Sequence, residues 1–515
     1  MFNFSHLRCR YMKQGLSIFL TKHWAALPAS VAACTFIYYY TLHSGIGISP
    51  DSVMYQTTAV NIQSHFSFTD FNGLPTVDFP LGYPSFLALF AWISGLTVLQ
   101  VVPLLNALLF SGVIVLTSII IEGYQQRSSL YKILILAALA CSPCLLEVYS
   151  MLWSETLFIF LGLLFAVAYR SYLRLHSTIQ LFWVACIVAI AFVTRYAGIT
   201  LLAAGSFLIL FDGELAIGKK IKHLLLFVMV GSSLVAANLM RNNHVAGNAT
   251  GVREKAIRSL MDNLNQIGST LSDWLPFIKG HETLATVIFI LLLLLGIVQL
   301  FYRVLQQQYY ASYETIITCL FVVYALFMIA IATISRFENL SSRLLSPMYI
   351  PLLLIGSSWL VNGIRHAYGI KRTAFVLAGL LFYAGFQYNQ YRLNAEAWEG
   401  IKDAGIPGYT EDPWVSSPTM AFIKKNKSVF AAPVYSNAND GVYFLSGVHA
   451  LALPHREIQP EIDLLLRKNT FWLVWLNDGE NPDLINLEFI KQHKIIISEQ
   501  IMDDGAIYLF SNPRP

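Results

Sequence analysis

Charge is what this chain has least of. Only 12% of its 515 residues are Asp, Glu, Lys or Arg, against roughly 25% in an average soluble protein. With 56% hydrophobic residues and a mean hydropathy of +0.56, the composition excludes a soluble enzyme, a disordered chain and a nucleic-acid binder resting on a basic surface. The net charge of +4 is too small to call for a polyanionic partner. Cysteine is scarce as well. Cys9 precedes the first apolar run, and Cys34, Cys141, Cys144, Cys186 and Cys319 lie in or at the ends of such runs. No disulfide framework is therefore expected in the outer segments. Cys141 and Cys144 have CxxC spacing, but without companion ligands packing is favoured over metal or redox chemistry. Internal repeats and low-complexity tracts are lacking too.

What the chain does have is apolar runs. Crossing about 30 Å of hydrocarbon takes roughly 17–25 residues. Candidates lie near 24–44, 98–121, 131–147, 155–170, 179–194, 196–212, 223–240, 283–302, 314–334, 344–362 and 372–390. A further run, Pro80 to Leu96, is short and opens with two prolines.

The positive-inside rule arbitrates. Suppose 80–96 lies in the outer interface and the N-terminus is cytoplasmic. The inner segments then hold Arg8, Arg10, Lys13, Lys22, Arg127, Lys132, Arg170, Arg174, Lys219, Lys220, Lys222, Arg303, Arg365, Lys371 and Arg372, whereas residues 44–97 contain no Lys or Arg. If 80–96 spanned, 11 of those 15 bases would face outward. The expectation is a polytopic α-helical membrane protein with about 11 spans, one interfacial helix and an outer C-terminus. The N-terminal basic flank leads into a full-length apolar run, which reads as the first span and not as a cleavable signal.

From about residue 395 the character changes. Sixteen acids face ten bases there. Strand-like runs (429–435, 448–453, 471–476, 494–498, 506–510) alternate with helical ones (417–425, 459–468, 482–492), which predicts a small α/β domain. No Gly-rich phosphate loop opens its helices, so it reads as an accessory or acceptor-binding module. The expected division is 1–394 for the membrane domain, with outer loops near 45–97 and 241–282, and 395–515 for the soluble extracytoplasmic domain.

The few outer charges form the candidate site. Asp51 stands just beyond the first span in Ser-Pro-Asp51-Ser-Val-Met-Tyr55, and Asp70 and Asp78 follow in the same loop. Its plain reading is a helix cap. Glu147 and Glu155 flank a short outer turn; capping or snorkelling is the plain reading, yet acids at apolar helix ends are costly unless they face a cavity or partner. Arg195 and Arg343 run against the positive-inside bias, which points to an anion such as phosphate. Pairing with Glu338 or another nearby carboxylate is the plainer account. One topology places Asp51, Glu155, Arg195 and Arg343 on the same face. Carboxylates can take a proton from an attacking hydroxyl, and arginines can neutralise a departing phosphate.

Four ordered motifs carry a resemblance. They are Asp51-Ser-Val-Met-Tyr55 with Ala59-Val-Asn61, Phe79-Pro-Leu-Gly-Tyr-Pro84, Ser142-Pro143 through Tyr149-Ser150 to Ser154-Glu155-Thr-Leu-Phe158, and Arg343-Leu-Leu-Ser-Pro347-Met-Tyr-Ile-Pro351. Thr194-Arg195-Tyr-Ala-Gly198 is a weaker fifth. Together they resemble the GT-C class of polyprenyl-phosphate-sugar-dependent glycosyltransferases, in the branch of protein O-mannosyltransferases and lipid A aminoarabinose transferases. The resemblance implies a bacterial plasma-membrane enzyme that moves a sugar, with inversion, from a polyprenyl-phosphate donor to a hydroxyl of a lipid, glycan or protein. Asp51 would be the general base. Glu155 would be a second acid that positions acceptor, donor, or a divalent metal where one is used. Arg343 and Arg195 would hold the donor phosphate, with Tyr55, Asp78, Tyr83 and Glu147 as further substrate-binding residues. The chain departs from many relatives at Ser52, where they carry a second acid, and at Phe79-Pro-Leu-Gly, where they carry paired prolines. The first departure and the lack of clustered His or carboxylates weaken a two-carboxylate metal site. A transporter or lipid-glycan flippase is the alternative, although no inverted repeat is evident; a non-catalytic scaffold leaves the outer acids and arginines without a task.

Overall fold

The structure, a computed structural model, describes residues 21–124, 128–251, 254–336, 338–477 and 481–513. Arg8, Cys9, Arg10, Lys13 and Arg127 of the expected inner face lie outside them. In chain order the helices are α1 (Ala26–Tyr40), α2 (Pro50–His65), α3 (Gly82–Ser94), α4 (Val98–Glu122), α5 (Ser129–Ala140), α6 (Pro143–Ser150), α7 (Glu155–Leu175) and α8 (Thr178–Thr194). After a 3-10 turn at Tyr196–Gly198 come α9 (Ile199–Leu210), α10 (Ile217–Gly231), α11 (Ser233–Ala246), α12 (Leu260–Trp274), α13 (Glu282–Leu305), α14 (Tyr313–Ile334), α15 (Ser342–His366) and α16 (Gly369–Ala404).

Each expected span coincides with a helix or a helix pair. Six are long and apolar enough to cross a membrane alone, two are bent pairs, and three are shorter apolar helices. The chain is a multi-pass membrane protein. The bends have local causes. Between α5 and α6 the helix breaks by 47° just ahead of Pro143, which has no N–H to continue the ladder; Ser142 restarts it by accepting from the Leu145 N–H. Between α10 and α11 the 45° bend sits where Ser232 and Ser233 donate back to the Val228 and Val230 carbonyls, a pattern that bends helices. Residues 80–96 form only the thirteen-residue α3.

The chain divides into two compact units. One comprises the chain up to Tyr39 with Val77–Tyr83 and Pro103–Glu399; the other comprises Tyr40–Thr76, Pro84–Val102 and the chain from Gly400. In the first unit α7 packs against α8, α14 and α15, and α12 against α13. The α12–α13 contact is close enough that a Cβ on Gly268 would meet Thr286 Oγ1 at 2.0 Å.

The C-terminal part of the second unit continues with α17 (Asp412–Val415), α18 (Pro418–Lys425), β1 (Val434–Ser436), α19 (Asn439–Ser446), β2 (Leu451–Ala452), α20 (Gln459–Leu466), β3 (Thr470–Leu476), α21 (Leu487–His493), β4 (Ile495–Met502) and β5 (Gly505–Ser511). The five strands form one sheet in the order β2-β1-β3-β5-β4. β1 is parallel to β2 and β3, and the β4–β5 hairpin adds antiparallel to β3. Both faces are covered. Ile462 and Leu465 of α20 and Ile490 of α21 pack with Phe471, Leu473 and Phe510. Met420 and Ile423 of α18 and Val442 of α19 pack with Val434, Val474 and Ile507. The expected α/β alternation is present, and α19 is an element that the sequence reading did not include. This unit also takes in the first loop: α19 packs on α2, Phe71 stacks on Tyr443 with ring centroids 4.9 Å apart, and Asn72 donates to the Ala450 carbonyl.

Candidate functional site

In the first unit three of the expected residues meet. Glu155 opens α7 and is fully buried, with 0% exposure. A carboxylate is favoured there by the positive end of the helix dipole, yet burial makes it costly without partners. Arg343 Nε donates to Glu155 Oε1 at 2.8 Å, and Arg195 Nη1 lies 2.8 Å from Glu155 Oε2. Each carboxylate oxygen thus faces its own guanidinium.

Local structure explains how two arginines reach one acid. Arg195 is the extended residue that ends α8, at φ −147° and ψ 141°, and the following turn needs glycine: a Cβ on Gly198 would stand 2.3 Å from Phe192 Cα. The same Nη1 donates to Ser154 Oγ at 2.8 Å. Arg343 lies in the first turn of α15, behind Ser341 at the cap. Its guanidinium carbon stands 4.4 Å from the centre of the Trp153 ring, a cation–π contact that the sequence reading missed. Trp274 of α12 bonds Ser342 Oγ, and Thr270 and Gln266 bond the backbone of Leu340, so α12 braces the segment that presents Arg343. Glu338 is 4.0 Å from Arg343 Nη1 and 63% exposed, a weaker partner than Glu155.

The cluster carries one acid and two permanent cations, a local charge of about +1 in a buried setting. Two guanidiniums side by side present planar N–H forks of the kind that suit an anion such as phosphate. Beyond it lies a small apolar cleft, lined among others by Phe158, Ile159, Gly162, Pro347, Ile350 and Pro351. Those positions follow Glu155 and Arg343 at helical spacing, so each lining row shares a helix face with the charged residue that heads it. Tyr324 borders the same cleft and donates to the Leu344 carbonyl at 2.7 Å.

Asp78, Tyr83 and Glu147 also belong to the first unit. The 77–83 segment is tied to α11: Asn238 accepts from the Leu81 N–H and Asn242 donates to the Val77 carbonyl. Asp78 is exposed beside Gly251, where a Cβ would meet its Oδ1 at 2.0 Å. Tyr83 is buried at 1% exposure. Glu147 is exposed on α6, within electrostatic reach of Arg343. Cys144 donates to the Ser342 carbonyl at 3.8 Å.

Asp51 and Tyr55 belong to the second unit. Ser49 caps α2, and its N–H donates to Ser52 Oγ at 3.0 Å. Asp51 is therefore in the first turn and is not the cap. It is half-buried, whereas Tyr55, one turn on, is 3% exposed. The carbonyl of Ile48 accepts from the Tyr409 N–H at 2.8 Å.

A divalent cation does not fit at Glu155, because both oxygens already face guanidiniums and the cluster is net positive. Among the described residues no group of three or more His, Cys, Asp or Glu is placed to hold a metal ion.

No protein-family model matches this sequence, and no curated protein is similar to it in sequence. Solved structures are similar in fold. The oligosaccharyltransferase of Archaeoglobus fulgidus, crystallised with zinc and sulfate, superposes with a TM-score of 0.53 at 10% identity, over 88% of this chain and 68% of that one. ArnT from Cupriavidus metallidurans, in its apo state, superposes with a TM-score of 0.53 at 12% identity, over 94% of this chain and 97% of that one. The same ArnT bound to undecaprenyl phosphate gives a TM-score of 0.52 at 12% identity, with the same coverage. The chain has the fold of the GT-C glycosyltransferases.

Proposed function

We propose that this chain is a membrane glycosyltransferase of the extracytoplasmic face, which moves a sugar from a polyprenyl-phosphate donor to an acceptor hydroxyl on a lipid, glycan or protein. The observation that carries the reading is the Glu155–Arg195–Arg343 cluster heading an apolar cleft. A pair of guanidiniums at the head of helix faces that line an apolar cleft suits a phosphate on an isoprenoid chain. The fold supports the reading, since ArnT was solved with undecaprenyl phosphate.

In the reaction the acceptor oxygen attacks the anomeric carbon, the bond from that carbon to the phosphate oxygen breaks, and polyprenyl phosphate departs. Asp51 takes the hydroxyl proton. Arg195 and Arg343 stabilise the charge that develops on the phosphate. Glu155 acts as the positioning acid that holds both guanidiniums ready. Attack opposite the leaving group inverts the anomeric centre. Tyr55, Asp78, Tyr83 and Glu147 are proposed to contribute to substrate binding. We further infer a bacterial plasma membrane from the likeness to ArnT, and a cytoplasmic N-terminus with an outer C-terminal domain from the lysine and arginine bias. The transporter alternative gains no support from this fold.

The test is a deletion strain carrying wild-type or Asp51→Asn protein, with mass spectrometry of lipids, surface glycans and exported proteins. One hexose or pentose increment should be lost on deletion and stay lost with Asp51→Asn. Profiles restored in full by that variant would remove the general-base role.

A further inference from the structure

The two arginines of the cluster are aimed by three consecutive residues. The Trp153 ring lies under the Arg343 guanidinium, Ser154 Oγ accepts from Arg195 Nη1, and Glu155 faces both arginines. All three belong to the link between α6, which ends at Ser150, and the first turn of α7. Outside regular helix, the backbone follows the bonds it makes to its surroundings. Those bonds therefore decide where the guanidiniums point.

A helix end leaves its last carbonyls without intrahelical partners, and in a buried setting each must be met elsewhere. At the end of α6 the Glu147 carbonyl accepts from Ser150 Oγ at 2.9 Å, and the Val148 carbonyl accepts from the Met151 N–H at a long 3.4 Å. The carbonyls of Tyr149 and Met151 are met from outside the link, by one side chain of α4. Asn106 Nδ2 donates to both, at 2.9 Å each. Asn106 is 1% exposed. Because both contacts are carbonyl oxygens, only the nitrogen end of the amide can face them. One turn further along α4, on the same face, the Phe110 ring stacks on the Tyr149 ring, with centroids 4.7 Å apart and planes 8° apart. The Tyr149 hydroxyl donates to the Thr156 carbonyl at 3.0 Å, on the far side of Glu155. Tyr149 is thus a buried strut across the link, gripped by α4 at its carbonyl and ring and fixed to α7 at its tip. Leucine at 106 would fill a similar volume without the desolvation cost of an amide; what the amide adds is a fixed backbone.

We propose that Asn106 is a positioning residue for the donor-phosphate site. Through the Tyr149 and Met151 carbonyls it fixes the link that sets Trp153 under Arg343, Ser154 against Arg195 and Glu155 between them. That role rests on the reading of Arg195 and Arg343 as the residues that hold the donor phosphate. A link released from α4 would let the guanidiniums turn without removing their charge. Recognition of a phosphate head, which depends on the direction of the N–H forks, would weaken, while the contribution of the apolar chain would stay.

The experiment compares undecaprenyl phosphate with undecaprenol, by native mass spectrometry of the full-length protein in detergent. The proteins are wild type, Asn106→Leu and Tyr149→Phe. The last keeps the stack on Phe110 and removes only the bond to Thr156, so it decides the matter should Asn106→Leu fail to fold. Asn106→Leu should lower affinity for undecaprenyl phosphate on the order of tenfold and leave that for undecaprenol as in wild type. Tyr149→Phe should act in the same direction to a smaller extent. Equal losses for both lipids overturn the proposal, since a purely structural part would produce them. Phosphate affinity unchanged in Asn106→Leu, or in Tyr149→Phe where the first does not fold, overturns it too. Combined with Arg343→Lys, Asn106→Leu should cost less than the product of the two single losses, because both act on one guanidinium; a full product would place its effect elsewhere. Wild-type protein that binds the two lipids equally marks a different failure, that of the phosphate reading, and the role of Asn106 falls with it.

Discussion

Arg343 and Glu155, 188 positions apart in sequence, are joined by a bond of 2.8 Å from Nε to Oε1. Because Arg195 claims the other oxygen of the same acid, removing Glu155 leaves two largely buried cations, 16% and 13% exposed, without their shared acid. Glu155→Ala is expected to cost about 3–5 kcal/mol of stability, the usual consequence of stranding a buried partner. Glu155→Gln, which still accepts from Arg343, should cost less. Melting of the two variants in one detergent checks the order.

Arg343→Lys keeps the charge but loses the planar fork, its Nε and the flat stacking on Trp153. Lysine and arginine are not equivalent at such a site. Affinity for undecaprenyl phosphate should fall roughly tenfold, or about 1.4 kcal/mol, while the weak association of undecaprenol stays the same. Native mass spectrometry with both lipids measures the difference. Equal losses for the two would assign Arg343 to packing and not to phosphate.

Chelation should leave transfer intact. Glu155 has no oxygen to offer a cation, so dialysis against EDTA is expected to preserve the rate of sugar transfer in membranes. A rate that collapses and returns with one particular divalent ion would contradict this.

The α12 helix should matter to activity without touching the phosphate. Gly268→Ala must push a methyl into Thr286 Oγ1 and the Thr286 backbone nitrogen, 2.0 and 2.8 Å away. Overpacking of this kind costs on the order of 1–3 kcal/mol. Since α12 braces the Ser342 region through Trp274, the expected outcome is a lower melting temperature together with weaker undecaprenyl-phosphate binding.

Asp440 gives a stability prediction with a definite sign. Burial raises its carboxyl above the ordinary range in the folded protein, so the folded state binds its proton more tightly than the unfolded state does. That contribution is complete at low pH and is lost as pH rises through the folded value. Asp440→Asn should therefore melt at or above wild type at pH 8, and its advantage should shrink towards pH 4.

Much of the membrane part was legible because hydrocarbon thickness sets a length that apolar runs must meet. Every run from 24–44 to 372–390 corresponds to a helix or a bent pair. The breaks were less legible: Pro143 marks one, but the bend at Ser232 depends on side chains returning to carbonyls. Charge asymmetry singled out Arg195 and Arg343 as misplaced, though not that both would close on Glu155; sequence order contains no distance, and Glu338 was the nearer candidate along the chain. Trp153 was invisible because nothing in a sequence tells a tryptophan under a guanidinium from one in lipid. The α19 helix escaped because Asn439-Asp440-Gly441 carries turn chemistry, which packing on α2 overrides. Asp440 itself was one acid among sixteen, and only burial separates it from the rest.

The second unit is assembled from three stretches of chain, Tyr40–Thr76, Pro84–Val102 and the residues from Gly400. A gene fragment starting at 400 would encode a sheet but forgo Phe71 for Tyr443 and Asn72 for Ala450. Chimeras between proteins of this fold would need to transplant all three stretches together to keep those contacts. Recombination at one crossover would separate partners that must be inherited jointly, so drift in the first loop and in the terminal domain should be correlated.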